Sequence, residues 1–205
     1  MSAPIRVLLV DDHPVSLMGL VALLGSQPGF AIVAEAGSVA EAVVAHRLHR
    51  PDVALVDLRL PDGTGIDVIT QVRAESPDAR LIVLTGTDGE EHAYQALKHG
   101  ASGYLMKSAS SAELIHALRE VVRGGRVVPA EIASAVAVRA GEADLTAREI
   151  QVLQLVAAGR TNNEIGIALS ITLSTARTHV SSVLEKLGAA DRAEATAIAI
   201  RRGIL

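Results

Sequence analysis

Residues 53–63 read Val-Ala-Leu-Val-Asp-Leu-Arg-Leu-Pro-Asp-Gly. Four aliphatic residues run without a polar break, a carboxylate follows, and Pro-Asp-Gly then signals a turn. A run that short and apolar on both faces reads as a strand of a parallel sheet, covered on each side by helices. The same pattern recurs on either side, at 6–10 and 31–34 before it and at 81–85 and 103–106 after it. Between these runs lie segments of helical period at 15–24, 39–48, 66–74, 90–99 and 111–122. In the first, Leu17, Leu20, Leu23 and Leu24 fall at helical spacing. The last opens on Ser110 and Glu113, a capping box. Five strand-helix units in alternation predict an α/β fold, a doubly wound five-stranded parallel sheet. Right-handed crossovers place its functional crevice at the carboxyl ends of the strands.

The pattern stops at Arg-Gly-Gly-Arg, residues 123–126. Residues 123–144 read as a connector, with a short helix expected at 131–138 and a break at Gly141, Glu142 and Asp144. Beyond it no strand-like run occurs, and four helix starts can be read from caps. Thr146 with Glu149 and Thr161 with Glu164 form capping boxes, Thr172 caps a third helix over 173–187, and Asp191 caps a fourth with Glu194 in its first turn. Gly159, Gly188 and Gly203 stand where helices end. Ala176, Val180, Val183, Leu184 and Leu187 share one face of the third helix. Residues 145–205 are thus expected to form a small all-α four-helix domain, and the short break at 169–172 has the length of a helix-turn-helix joint. The boundaries fall at 1–122, 123–144 and 145–205.

Composition narrows the function. With 205 residues, 49% hydrophobic and 20% charged, the chain has room for two globular domains. It has no cysteine, which removes disulfides, thiolate metal sites and thiol nucleophiles and fits a cytoplasmic address. The start carries four apolar residues and then two aspartates, unlike a signal peptide, and no apolar run is long enough for a bilayer. Phe30, Tyr94 and Tyr104 are the only aromatics, so the core must be aliphatic and a stacking platform for single strands is excluded. Residues 1–144 carry 12 basic and 18 acidic side chains and residues 145–205 carry 7 and 5, that is −6 and +2 within the total of −4. An acidic front and a mildly basic back call for different partners. Sixteen arginines against three lysines are also in keeping with a GC-rich bacterial genome.

The reactive residues sit at strand ends. Asp11 and Asp12 follow the first strand, Asp57 the third, Thr85 ends the fourth and Lys107 follows the fifth. Three converging carboxylates repel one another and call for a cation. An all-oxygen set suits Mg²⁺, which retains waters and accepts phosphoryl oxygens. Carboxylate nucleophile, metal, hydroxyl and ammonium together suit phosphoryl transfer to a carboxylate. Each alone has a plain structural use, as helix cap, turn residue or solvated lysine; the conjunction carries the reading.

Val-Asp-Asp-His-Pro (10–14), Val-Asp-Leu-Arg-Leu-Pro-Asp-Gly (56–63), Leu-Thr-Gly (84–86) and Gly-Tyr-Leu-Met-Lys (103–107) resemble the receiver domain of bacterial two-component response regulators, a flavodoxin-like fold. The resemblance spans about 1–122 in order. It implies that Asp57 is the phosphoacceptor for a sensor histidine kinase. It implies Mg²⁺ held by Asp12 and Asp57 with the backbone carbonyl of Arg59, Asp11 acting mostly through water. It gives Thr85 and Lys107 the new phosphoryl group, and Tyr104 the aromatic switch position. Leu60 departs from the methionine common there.

In the second domain, charge alone favours a solvated helix face, because +2 is weak and Glu185 lies on the third helix. That helix offers Arg177, Thr178, Ser181 and Ser182 outward, and Arg148, Arg160, Arg192, Arg201 and Arg202 are available for phosphates. Leu-Thr-Ala-Arg-Glu-Ile-Gln-Val-Leu (145–153), Gly-Arg-Thr-Asn-Asn-Glu-Ile (159–165) and the stretch from Ser174 to Gly188 resemble the LuxR-type helix-turn-helix. With a receiver in front, the whole is similar to the NarL/FixJ class of response-regulator transcription factors. The resemblance makes 174–187 the recognition helix, puts Arg177, Thr178 and Ser181 at base-contacting positions with Thr175 and Lys186 beside them, and makes 192–202 the dimerisation helix. It implies a phosphorylation-dependent regulator of promoter DNA, a homodimer when phosphorylated or DNA-bound. Its only catalysis would be its own phosphorylation and dephosphorylation. Where the family often has Ser-x-x-Thr-Val-Lys, this chain has Thr172-Leu-Ser-Thr-Ala-Arg177; arginine keeps the charge and can hold a guanine bidentately. An effector whose helical end binds protein is the alternative, and Arg177 discriminates the two. A magnesium-dependent phosphohydrolase would need a second acid where Arg59 stands. Gly63-Thr-Gly65 lacks the third glycine of a dinucleotide fingerprint, no phosphate-binding loop occurs, and His46 with His49 lacks a third ligand. His13 reads as the start of the first helix rather than a catalytic group.

Overall fold

The structure, a computed structural model, describes residues 3–86, 90–130, 132–134, 144–202 and 204–205. The chain divides into two compact units, residues 1–88 with 95–133 and residues 89–94 with 134–205.

The first unit is built on β1 (Ile5–Val10), β2 (Phe30–Ala36), β3 (Val53–Asp57), β6 (Leu81–Thr85) and β7 (Gly103–Met106). They pair in the order β2-β1-β3-β6-β7, every pair parallel. Between them in sequence come α1 (Pro14–Gly25), α2 (Val39–His49), α3 (Gly65–Glu75) and α4 (Glu90–Lys98), of which residues 95–98 fall in this unit, and α5 (Ser111–Val122) closes the series. This is the predicted doubly wound sheet, with element ends within about two residues of the sequence reading. Two-residue strands β4 (Arg59–Leu60) and β5 (Gly63–Thr64) pair antiparallel across Pro61 and Asp62, where the Pro-Asp-Gly signal predicts a turn alone.

Burial follows position in the sheet. β3 and β6 are buried at all five residues each, whereas β2, an edge strand, is mostly half-exposed. Residues 31–34 still have α1 and α2 packed against them, but coverage is less complete than in the central strands because β2 pairs with a neighbour on one side only. One core layer gathers Val7, Leu9, Val53, Leu55, Ile82 and Leu84 from the strands under Leu24 of α1 and Leu114, Leu118 and Val121 of α5. The core is aliphatic as expected, except that Tyr104 is wholly buried in it. The β7 edge is partly closed by the chain after α5. Val127 bridges Gly103, receiving the Tyr104 amide at 2.9 Å and donating to Ser102 at 3.2 Å.

The second unit contains α6 (Ala147–Ala157), α7 (Asn162–Ala168), α8 (Leu173–Leu187) and α9 (Arg192–Arg202). Thr146, Thr161 and Thr172 cap the first three as read, and Asp191 accepts from the Glu194 amide at 2.9 Å. Gly188 ends α8 in the left-handed region at φ 65°. Val152, Leu153, Ile165, Ala176, Val180, Val183, Leu187 and Ile198 form its core. Of the helix expected at 131–138, residues 132–134 are helical; Glu131 and 135–138, like Gly141, Glu142 and Gly203, lie outside the described residues. Among the described residues no helix is long and apolar enough to cross a membrane.

Candidate functional site

Strand register delivers the acidic residues to one end of the sheet. Val10 pairs with Val56 and Asp57 with Leu84, so Asp11 just beyond β1, Asp57 ending β3 and Thr85 ending β6 lie at one end of the sheet. The Lys107 amide donates to Thr85 at 2.7 Å, which ties the exit of β7 to the end of β6. Asp11, Asp57 and Thr85 are buried, and Asp12 is exposed. Donor atoms of Asp11, Asp12, His13 and Asp57 all lie within 4.8 Å of one another. A cleft of about 530 Å³ opens here, lined by His13, Ser16, Asp57, Arg59, Thr85 and Lys107 among others. Tyr104, in contrast, is wholly buried and lines none of it.

Lys107 holds the cluster together. Its ammonium donates to Asp11 Oδ2 at 2.7 Å and to Asp57 Oδ2 at 2.8 Å. Burial penalises the Asp11 carboxylate, but hydrogen bonds from Lys107, the Ser16 hydroxyl and the His13 amide outweigh it and hold the group below the usual carboxylate range. Burial opposes the Lys107 charge too, and the two carboxylates raise its pKa above that of an ordinary lysine. A strongly negative pocket with a fixed ammonium is suited to an incoming dication or phosphoryl group. The donor set, carboxylate-rich and open to solvent, is compatible with Mg²⁺.

Two supporting residues were not anticipated. Ser16 reaches Asp11 from the first turn of α1, five residues along. Gly65 starts α3 directly against the phosphoacceptor candidate: a Cβ there would sit 2.5 Å from the Asp57 carbonyl oxygen. Gly65→Ala is expected to destabilise the first unit by about 2 kcal/mol through overpacking, with Asp57 displaced. A urea midpoint equal to that of the native chain would refute this. A glycine beside a Pro-Asp-Gly turn was the available signal, but close approach shows only in three dimensions.

In the second unit Thr175, Arg177, Thr178 and Ser181 are exposed on α8. Arg177 makes no hydrogen bond or ion pair among the described residues. The Thr178 hydroxyl donates to the Ser174 carbonyl at 3.1 Å. Four expectations change. Ser182 turns inward and donates to Glu149 Oε1 at 2.7 Å. Lys186, read as a DNA contact, donates to Glu149 Oε2 at 2.7 Å and to the Asp144 carbonyl at 3.0 Å. Arg148 holds the Leu169 carbonyl at 2.6 Å, and Arg192 holds the Arg160 carbonyl at 2.7 Å, which fixes helix ends rather than leaving them for phosphates. For Ser182 and Lys186 the cause is Glu149, 5% exposed at the capping box of α6, whose buried carboxylate draws the donors in reach. Burial raises its pKa, but Lys186, Ser182 and Thr146 overcome that and lower it to about 2.

Sheet order, acidic cleft and four-helix unit together define a two-component response regulator carrying a LuxR-type helix-turn-helix. Residues 7–119 match the response regulator receiver domain family, and residues 143–199 match the bacterial regulatory proteins of the luxR family. The chain belongs to these DNA-binding transcription regulators. It is 37% identical to the transcriptional regulatory protein LiaR of Bacillus subtilis, over 98% of this chain and 99% of that protein. It is 38% identical to the DNA-binding transcriptional activator DevR/DosR of Mycobacterium tuberculosis, over 95% and 94%. The crystal structure of a LuxR-family two-component response regulator from Aurantimonas sp. SI85-9A1 superposes at TM-score 0.63 with 36% identity, covering 68% of this chain and all of that one.

Proposed function

We propose that this chain is switched by phosphorylation of Asp57 and that the switch governs promoter binding by its helix-turn-helix. The observation that carries the reading is the Lys107 ammonium bridging Asp11 and Asp57 at the mouth of the cleft. An Asp57 carboxylate oxygen attacks the phosphorus of a sensor kinase's phosphohistidine; the P–N bond breaks and the imidazole leaves. Lys107 passes from Asp57 Oδ2 to the new phosphoryl oxygens, and Thr85 follows from the neighbouring strand end. Attack by water at phosphorus restores Asp57 and releases phosphate. Asp11, Asp12, Asp57 and the Arg59 carbonyl would hold Mg²⁺, which neutralises the carboxylates and the phosphoryl oxygens when bound. The chemistry is confined to the chain's own Asp57, in keeping with relatives that are transcriptional regulators.

Phosphorylation would shift the Thr85 and Tyr104 region and favour a symmetric dimer matched to paired half-sites in the cytoplasm. The working parts are a receiver over 1–122, a linker over 123–144 and the helix-turn-helix domain over 145–205. Arg177, Thr178, Ser181 and Thr175, exposed on α8, would face the bases. DevR/DosR, described as a DNA-binding transcriptional activator, supports this reading.

The decisive test is incubation with Mg²⁺ and a small acyl phosphate, followed by intact mass measurement. One added phosphoryl group on the native chain and none on Asp57→Asn is expected; addition to neither, or to both, overturns the reading. Two further outcomes follow. Mg²⁺ at ten times its dissociation constant should add about 1.4 kcal/mol to receiver unfolding, and Asp12→Asn should abolish most of that gain. Arg177→Ala should lower promoter affinity by about 10- to 100-fold at fixed salt. Undiminished promoter binding by that variant would point to a protein partner instead.

A further inference from the structure

His13 stands where α1 begins but does not do a cap's work. Pro14 at the first helical position keeps the preceding residue extended, at φ −94° and ψ 109°, and the imidazole makes no capping hydrogen bond. The ring turns back over the acidic cluster instead. Its Nδ1 lies 2.6 Å from Asp12 Oδ1 and 3.3 Å from Asp11 Oδ1. Asp11 is divided between two tasks: Oδ2 takes Lys107 and Ser16, while Oδ1 faces His13. Two carboxylate oxygens and one imidazole nitrogen therefore converge beside Asp57, with Lys107 on the far oxygens. Adjacent ligands of a six-coordinate ion with bonds of about 2.1 Å stand roughly 3 Å apart, the spacing this trio brackets.

We propose that His13 is a nitrogen ligand in this site and makes it select a first-row transition dication over Mg²⁺. The inference rests on reading the aspartates as the metal site. Oxygen donors alone serve Mg²⁺, which parts reluctantly with water; an imidazole beside them favours ions such as Mn²⁺, Co²⁺, Ni²⁺ and Zn²⁺. The exposed ring can turn with little cost to the fold, because it supports no hydrogen bond of the helix start.

Co²⁺ and Mg²⁺ are the probes, titrated calorimetrically into the full chain and into His13→Gln, with the Co²⁺ visible spectrum recorded in parallel. The remaining histidines are common to both proteins and cancel in the comparison. The native chain should bind Co²⁺ at least about tenfold more tightly than Mg²⁺, and in the variant this gap should close to roughly threefold or less, with a changed Co²⁺ spectrum. An unchanged gap overturns the proposal, since oxygen ligands then suffice. Equal weakening of both ions also overturns it, because His13 would then act only by positioning Asp12. Failure of both ions to bind the native chain defeats the acidic metal site itself along with the inference. Mg²⁺ binding that survives while the gap stays fixed defeats the inference alone.

Discussion

Lys107→Met is expected to slow loading of Asp57 from a small acyl phosphate by about a hundredfold while leaving the site able to bind Mg²⁺, and to bind it more tightly. The two effects separate because the ammonium plays two parts. Before transfer it neutralises Asp11 and Asp57 at 2.7 and 2.8 Å, and so competes with a dication for the same carboxylates. Methionine leaves a more negative pocket of similar volume, which attracts the dication more strongly. During the proposed transfer the charge that would grow on the phosphoryl oxygens would meet a cation already fixed in place by Asp11 and Asp57. Removing one such preorganised group costs about 10²–10³ in rate. Without Lys107 the Asp11 carboxyl also loses one of the interactions that hold its pKa down, so it moves back toward the ordinary range. Loading measured at saturating Mg²⁺ isolates the chemical part, and a rate within threefold of the native chain's there would remove Lys107 from the transfer step.

How much of this was legible beforehand depends on the range of the interaction. The five strands, the five helices between and after them and the caps of the second unit came from local pattern: apolar runs, helical spacing and hydroxyl-acid pairs three residues apart. The strand-end rule then grouped Asp11, Asp57, Thr85 and Lys107 without coordinates, since parallel strands in register must bring their ends together. What sequence could not supply was direction. Asp12 and Asp11 are neighbours, yet one is exposed and the other buried, because consecutive residues leave a strand toward opposite faces. Ser182 lies one residue beyond Ser181 on the same helix, and a turn of about 100° takes it from solvent to Glu149. Lys186 looked like a DNA contact because a lysine on a recognition helix usually is one. Its commitment to Glu149 depends on a residue 37 positions away. Gly65 was unreadable for the same reason, since nothing local marks a carbonyl 2.5 Å from an absent methyl.

The Glu149 network is the place where that long-range commitment is most costly to break. Lys186→Met should destabilise the second unit by about 3 kcal/mol, because a carboxylate 5% exposed would lose its cation while staying buried. The pH dependence gives an independent estimate. Lys186, Ser182 and Thr146 hold the folded Glu149 carboxyl at about 2, against 4.5 for an ordinary glutamate. A depressed folded pKa stabilises the protein above the unfolded pKa and stops doing so as pH falls through the folded one. That contribution, at most about 3 kcal/mol, should therefore be intact at neutral pH and disappear between roughly pH 5 and pH 2. In Lys186→Met the carboxyl loses one of the hydrogen bonds that lower its pKa, so the acid-dependent loss should still begin near pH 5 but end at a higher pH than in the native chain, and its total should shrink. Amide exchange in α6 and α8 against pH reads this unit separately from the receiver. Exchange rates at neutral pH that match the native chain's would show that the pair contributes nothing. The functional consequence follows from where the bonds attach. Ser182 and Lys186 are on α8 and Glu149 is on α6, so the network fixes the helix carrying Arg177 against the rest of its domain. Lys186→Met should weaken binding to promoter and to unrelated DNA by similar factors, because it loosens the reading helix without touching a base. Arg177→Ala should instead narrow the difference between the two.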